Sequence, residues 1–399
     1  MASNPSTIVL VIDRLGAGYL GPYGNTWLET AGWNRLACQA LLCEQMLAQS
    51  PDLAATYRDY WLTGSESALP QRARAAGCRA VLVTDDETVA QLPGAADFDE
   101  LHLMKPNAKD AHRKTPAAEV EETAFLRLLN VALAQLETWN NLQQPQLLWI
   151  HARAMQGSWD APLELRQQFA DEDDPPPAEI VEPPQTLLEK NHDPDFVLSI
   201  THAYAGQVSV VDIGLQALLG AIDELPQRES VLFAVTAPRG YPLGEHGRIG
   251  QCDSALYGEL LHVPCCVQFP HGEGALARTQ ELVTPADLAA TIVEGAGWSN
   301  AEADESRSLL RIVRGEPMIS RDYLAAQTET EQLIRTAAWQ LRISKHTEGD
   351  RYELYAKPDD RWEFNDVASR AGEIVTQLAE LASSRASSEL PEELTSPWR

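Results

Sequence analysis

Basic charge is what this chain is short of: 31 Lys and Arg stand against 58 Asp and Glu in 399 residues, a formal net charge of −27. Nucleic acids and anionic lipid surfaces are held by clustered Lys and Arg, so both are excluded as partners. Cysteine is scarce too. The six copies show no CxxC spacing, which leaves neither a zinc pattern nor a dense disulfide framework and predicts free, buried thiols. Cys38 and Cys43 fall in one helical pattern, and Cys265 and Cys266 are adjacent in an apolar run. No run approaches the roughly 18 apolar residues of a membrane span. No charged-then-apolar leader opens the chain either, because "MASNPSTIVLVID" passes at once into a strand-like segment. These absences predict a cytoplasmic protein with no membrane partner. No serine stands in a G-x-S-x-G elbow, which removes the support for a serine hydrolase.

What is present is a core-forming sequence, 44% hydrophobic and long enough for one large domain and a smaller one. Continuous apolar runs recur: "TIVLVID" from Thr7, "RAVLVTDD" from Arg79, "QLLWIHA" from Gln146, "SVLFAVTA" from Ser230 and "HVPCCVQF" from His262. Apolarity without alternation suits strands buried on both faces of a parallel sheet. Helical periodicity lies between them, around 119–138 (Phe125, Leu128, Leu129, Ala132, Leu136) and through 33–48, 203–223 and 285–295. Thr284 caps the last of these and Pro285 takes its first position. The alternation predicts an α/β fold with a doubly wound, mostly parallel sheet flanked by helices. "DEDDPPPAEIVEPPQ" makes 163–198 an acidic, Pro-rich surface loop. Beyond residue 315 the character changes: "AAWQLRISKH" and "DRYELYA" read as a hairpin and "AGEIVTQLAELAS" as a closing helix, a C-terminal α+β domain over 316–399 after an α/β domain over 1–315.

Open parallel sheets bind ligands at the carboxyl ends of their strands. After the first strand stands "DRLGAGYLGPYGN", and after the fourth "TAPRGYPLGEHG" and "GRIGQ". With "LTG" at 62–64, "YAGQVSVVD" at 204–212, "HVPCCVQFP" at 262–270, "LVTPADLAATIVEGAG" at 282–297, "SRSLLRIVRGE" at 306–316 and the tail "ELYAKPDDRWEFNDVA", the chain resembles the sulfatases of the alkaline phosphatase superfamily in segment order and spacing over nearly its whole length.

That resemblance implies a metal-assisted nucleophilic hydrolysis of sulfate esters. A Cys or Ser in C/S-x-P-x-R becomes formylglycine, whose hydrated aldehyde attacks sulfur while calcium and several cations neutralise the ester oxygens. Carried over residue by residue, the chemistry fails. The two successive Asp that hold the ion are Asp13 and Arg14 here, and the later Asp-His or Asp-Asn pair is Pro238 and Arg239. Counting back from "LTG" places the motif's Arg on Arg58, its Pro on Thr56 and its nucleophile on Ala54, a methyl group that no oxidation turns into an aldehyde. The family's substrate-contacting His falls on Gln156, in "MQGSW", and its Lys on Gln251.

A hard divalent ion wants several carboxylate or carbonyl oxygens, and Arg14 and Arg239 offer none. Two unit charges about 4 Å apart interact by about 4 kcal/mol at an effective dielectric of 20, so arginines at an ion's position repel it strongly. We therefore expect no calcium or magnesium, with guanidinium groups in place of the metal and Asp13 paired to one of them. Arg14, Arg58 and Arg239 form either an inert, neutralised cluster or a pocket for a sulfated or phosphorylated small molecule. A hydrolase with a relocated site and an interaction partner of an active relative are the alternatives. His151, His202 and His246 read as packing or hydrogen-bonded residues, and Trp27, Trp33, Trp61 and Trp159 as core or loop anchors.

Overall fold

The chain is described by a computed structural model over residues 4–62, 67–106, 113–139, 144–298, 307–316, 321–384 and 390–395. Thr63 and Gly64 of "LTG", and Ser306, lie outside the described residues. The first half runs β1 (Ser6–Ile12), α1 (Ala31–Gln39), β2 (Leu41–Leu47), α2 (Leu53–Trp61), α3 (Leu69–Ala75), β3 (Arg79–Thr84), α4 (Glu87–Ala90), β4 (Glu100–Leu103), α5 (Ala124–Trp139) and β5 (Gln146–Ala152). There follow α6 (Leu163–Gln167), β6 (Thr186–Leu187), α7 (Pro194–Glu224), β7 (Val231–Thr236), β8 (Arg248–Ile249), α8 (Gly258–Leu261), β9 (His262–Val263), β10 (Cys265–Gln268), β11 (Arg278–Val283), α9 (Pro285–Gly295) and α10 (Leu310–Arg314). The chain closes with β12 (Tyr323–Gln327), β13 (Glu331–Thr336), β14 (Trp339–Ser344), β15 (Arg351–Ala356), α11 (Gly372–Ser384) and α12 (Glu392–Thr395).

The main sheet has the order β11-β2-β10-β7-β1-β5-β3-β4, with β9 paired to β2. β7, β1, β5, β3 and β4 are mutually parallel, and β10 runs antiparallel between β7 and β2. The expected apolar runs are its central strands: every residue of β1, β5 and β7 is buried. Helices cover both faces, as a mostly parallel sheet requires. A separate antiparallel sheet, β12-β13-β14-β15, carries α11 and forms the C-terminal unit.

Three expectations are corrected. Residues 33–48 are not one helix: α1 stops at Gln39, Ala40 is extended, and "LLCEQML" becomes β2, clamped between β10 and β11. A short apolar run fits a buried strand and a buried helix equally, and sheet pairing decides. Cys38 is consequently exposed on a helix while Cys43 is buried in a strand. The 163–198 segment is more ordered than its composition suggests, since it contains α6, β6 and the first turn of α7. Arg166, fully buried, anchors it by donating to the carbonyls of Ala161, Ala178, Ile180 and Trp159. Finally, α7 is long and apolar enough to cross a membrane by length and composition, but 67% of its apolar window is buried within the protein.

α7 also caps α1 from a distance. Thr30 makes no side-chain cap, and the carboxylate of Asp212 instead accepts from Gly32 N and Trp33 N, both at 3.0 Å. Gly32 permits this approach, because a Cβ there would stand 2.9 Å from Asp212 O. Asp212→Ala leaves two buried donors without partners, and we expect it to lower unfolding free energy by about 1–3 kcal/mol in urea melts.

Candidate functional site

The neighbouring carboxyl ends of β7, β1, β5 and β3 deliver polar residues to one place. β1 is followed by Asp13, whose N–H donates to Ala152 O (2.9 Å) at the end of β5. Arg14 adopts φ 62°, a left-handed conformation unusual for a long side chain. Tyr204 of α7 holds that turn, its hydroxyl donating to Arg14 O (3.0 Å) and accepting from Gly16 N (3.3 Å). β7 is followed by Pro238 and Arg239, and Pro238 O lies 3.4 Å from the Thr56 hydroxyl, which docks the start of α2 beside it. Asp52 caps α2 by accepting from Ala55 N.

Arg239 grips Asp13 with both prongs, Nε to Oδ1 and Nη2 to Oδ2, each at 2.9 Å. Its Nη1 donates to Pro51 O (3.1 Å) and to Gln251 Oε1 (3.2 Å), so every nitrogen of this guanidinium has an acceptor. Arg14 donates through Nε to Gln156 Oε1 and through Nη2 to Gln251 Oε1, while its buried Nη1 has no partner. Asp13 is fully buried and Arg14 is 3% exposed. Burial pushes the Asp13 carboxyl up, but the charge and hydrogen bonds of Arg239, and then Arg14, hold it below the usual carboxylate range. Arg14 is pushed down to about 10, by burial first and by the like charge of Arg239 second.

Asp13, Arg14, Gln156, Arg239 and Gln251 thus form one hydrogen-bonded network. Arg58 does not join it: it is exposed on α2, one turn beyond the half-buried Ala54, and the expected convergence of three arginines reduces to two. Nucleophilic side chains are absent at position 54, and Thr56 is buried with its hydroxyl directed to backbone carbonyls. His151, read from the sequence as a packing or hydrogen-bonded residue, joins two residues the sequence did not single out, in the adjoining chain Tyr57–His151–Asp86. The Tyr57 hydroxyl lies 2.6 Å from His151 Nδ1, and His151 Nε2 is 3.6 Å from Asp86 Oδ2. Its signal was available in "VTDD" and "WIHA", a carboxylate and an imidazole closing two apolar strands.

Asp13, Asp86 and His151 bring potential ligand atoms within 4.8 Å of one another, a grouping able by count to hold a metal ion. The rest of the site opposes one. Both oxygens of Asp13 are already bound to Arg239, although the buried Nε2 of His151 has no hydrogen-bond partner and lies 3.6 Å from Asp86 Oδ2. A divalent ion would have to strip a guanidinium from its carboxylate and then sit beside it, which the Coulomb repulsion disfavours. The calcium site of the resembled family finds one carboxylate and no second acidic ligand at positions 13, 14, 238 and 239.

A family model named Sulfatase matches residues 5–298. The chain belongs to the sulfatase family. Human iduronate 2-sulfatase is 31% identical over 91 residues, a match covering 23% of this chain and only 16% of that enzyme. Among solved structures, the phosphonate monoester hydrolase of Agrobacterium radiobacter superposes with a TM-score of 0.74 at 14% identity, covering 95% of each chain. An enzyme solved with its substrate D-glucosamine-2-N,6-O-disulfate gives 0.73 at 13% identity over 98% of each chain. A 2-O GAG sulfatase gives 0.71 at 16% identity over 98% of this chain and 96% of the other. At such identities the superpositions establish the fold alone.

Removing one partner of a buried ion pair costs about 3–5 kcal/mol, because the remaining charge is uncompensated. We expect Arg239→Met to destabilise the protein by that order, and Asp13→Asn combined with it to recover much of the loss. The pH dependence follows from the depressed Asp13 pKa. Its stabilisation is fully present above the unfolded value near 3.9 and is lost as pH falls through the folded value. Melting curves across the acid range should therefore show a shallower decline in Asp13→Asn than in the parent.

Proposed function

We propose that this sulfatase-family chain does not hydrolyse esters by the formylglycine route, and that it retains the capacity to bind the oxyanion of a sulfate or phosphate ester. One observation carries the first half. At the strand ends where the fold puts its chemistry, Ala54 stands at the nucleophile position and Arg239 occupies the retained carboxylate. A guanidinium fork neutralises Asp13 as an ion would, but it has no empty coordination position and cannot polarise a bound oxygen while it is so engaged.

The second half rests on Arg14. Its Nη1 is a buried donor without an acceptor, in a protein where such donors are normally satisfied. Gln156, which accepts from Arg14 Nε, also lines a polar cavity of about 270 Å³ with Arg113, Arg153 and Ser158. Planar guanidinium donors suit tetrahedral oxyanions. These features support an anion held in this cavity by Arg153, with Arg14 behind the wall positioning Gln156 and no group placed to attack it.

Two measurements test this. Incubation with 4-nitrophenyl sulfate and 4-nitrophenyl phosphate, with and without added calcium, magnesium or manganese, should release no nitrophenol above the solvent rate. Stoichiometric bound metal, or turnover abolished by Asp13→Asn, would overturn the inactive reading. Turnover abolished by His151→Asn alone would favour a hydrolase working through the Tyr57–His151–Asp86 chain. Calorimetry with the same esters should show binding that weakens about tenfold, a change of about 1.4 kcal/mol, in Arg14→Met and in Arg153→Ala and is unchanged in Arg58→Ala. Absence of heat with either ester would leave only an inert, filled site.

A further inference from the structure

A larger cavity, of about 510 Å³, lies between the loop that follows β1 and the C-terminal sheet. It shares no lining residue with the Asp13–Arg239 network: Asp13, Arg14, Gln156, Arg239 and Gln251 are all absent from its walls. Its size is that of sites for small organic ligands. Neither the family chemistry nor the resemblances assign it a role.

Four carboxylates and four cations line it, but the carboxylates are engaged: Glu259 pairs with His246 at 2.9 Å, Glu245 accepts from the Tyr19 hydroxyl and Leu243 N, and the other two hold cations. Lys357 pairs with Glu363 at 3.0 Å and Arg278 with Glu44 at 2.8 Å. Two further guanidiniums have no carboxylate in ion-pair reach among the described residues. Arg335, 5% exposed, donates to the carbonyls of Thr336 and Ala337 and to Gln45 Oε1. Arg361 donates from Nη1 to Tyr23 O (2.5 Å), and its buried Nη2 has no acceptor at all. Buried guanidinium without an anion is costly, and in a chain of net charge −27 nearby acid is not in short supply. The cations are close enough to act on a common neighbour. His262, on the same wall, is pushed down to about 4 by burial first, with the charges of Arg361, Lys357 and Arg335 adding to the effect, so it brings no positive charge of its own at neutral pH.

The apolar part of the wall includes the Trp362 ring. Gly18 lies so close to the Trp362 ring that a Cβ would stand 2.7 Å from it, and Arg361 lies over that ring at 5.1 Å from its centre. Tyr19, Pro22 and Leu47 continue the surface. Aromatic faces beside a guanidinium accept a planar ring whose charged end meets the cation.

We infer that this cavity is a second binding site, for a small organic anion with a planar apolar body, its acidic group taken by Arg335 and Arg361. The acidic group is recognised by charge and geometry, so carboxylate and sulfonate heads are both accommodated.

Calorimetric titration with naphthalene-2-sulfonate, naphthalene-2-carboxylate and the uncharged 2-naphthylmethanol tests the assignment. Both anions should bind at one site per chain, and the alcohol at least tenfold more weakly. Arg361→Gln should weaken anion binding at least tenfold. Gln280→Trp, a substitution at an exposed rim position that leaves the core untouched, should block entry and abolish binding even if Arg361→Gln does not fold. Arg14→Met and Arg153→Ala should leave naphthyl-anion binding unchanged, which separates this site from the first. The inference is overturned if no naphthyl anion binds, if the alcohol binds as tightly as the anions, if Gln280→Trp has no effect, or if Arg14→Met removes the binding.

Discussion

The bidentate pair between Asp13 and Arg239 is the constraint around which the strand ends are arranged. It ties the residue after β1 to the loop after β7, strands that are neighbours in the sheet, and it reaches through Pro51 O to the start of α2 and through Gln251 to Arg14. A single buried carboxylate could not be tolerated there unpaired. Equally, Arg239 could not be buried without it, and its pKa is raised because Asp13 outweighs the effect of burial. The two residues therefore require each other, and either one explains why the other is present.

The pair leaves the wider architecture to other forces. Sheet order and the burial of the central strands depend on pairing and apolar contacts that ignore what stands at positions 14, 54 or 239. Arg14 and Arg239 bring two positive charges to a place where, among the described residues, Asp13 is the one carboxylate in ion-pair reach, with Asp52 and Asp86 further off. Gln156 and Gln251 meet that surplus with neutral oxygen atoms rather than with charge. The result is a self-satisfied cluster in which one donor, Arg14 Nη1, is left over.

Much of the fold was legible in the residues. β1, β3, β5 and β7 stood out as uninterrupted apolar runs because they are buried on both faces, and α9 was marked by Thr284, whose side chain forms a capping box with Asp287. β2 was not legible, because seven mostly apolar residues after a helix carry no periodic signature, and only pairing with β10 and β11 makes them a strand. β12 and β13 escaped for a similar reason, as "YLAAQ" and "EQLIRT" alternate only once their partners are known. At the site, counting from motifs named positions 13, 14, 156, 239 and 251 and paired Asp13 with an arginine, but the hydrogen bonds that join Gln156 and Gln251 to the two arginines came from the structure. Arg58 was misplaced: linear spacing puts it four residues from Ala54, but a helix turns that shared face outward.

By itself the sequence determined the class of fold, the family and that alanine stands at position 54, since each follows from the identity and order of residues along the chain. Tertiary structure alone decided which arginine takes Asp13, that Tyr57, His151 and Asp86 meet, and that Arg335 and Arg361 line one cavity with Gly18 and Trp362. These are contacts between residues far apart in the chain, and residue types and spacings carry no information about distance once the chain has turned back on itself.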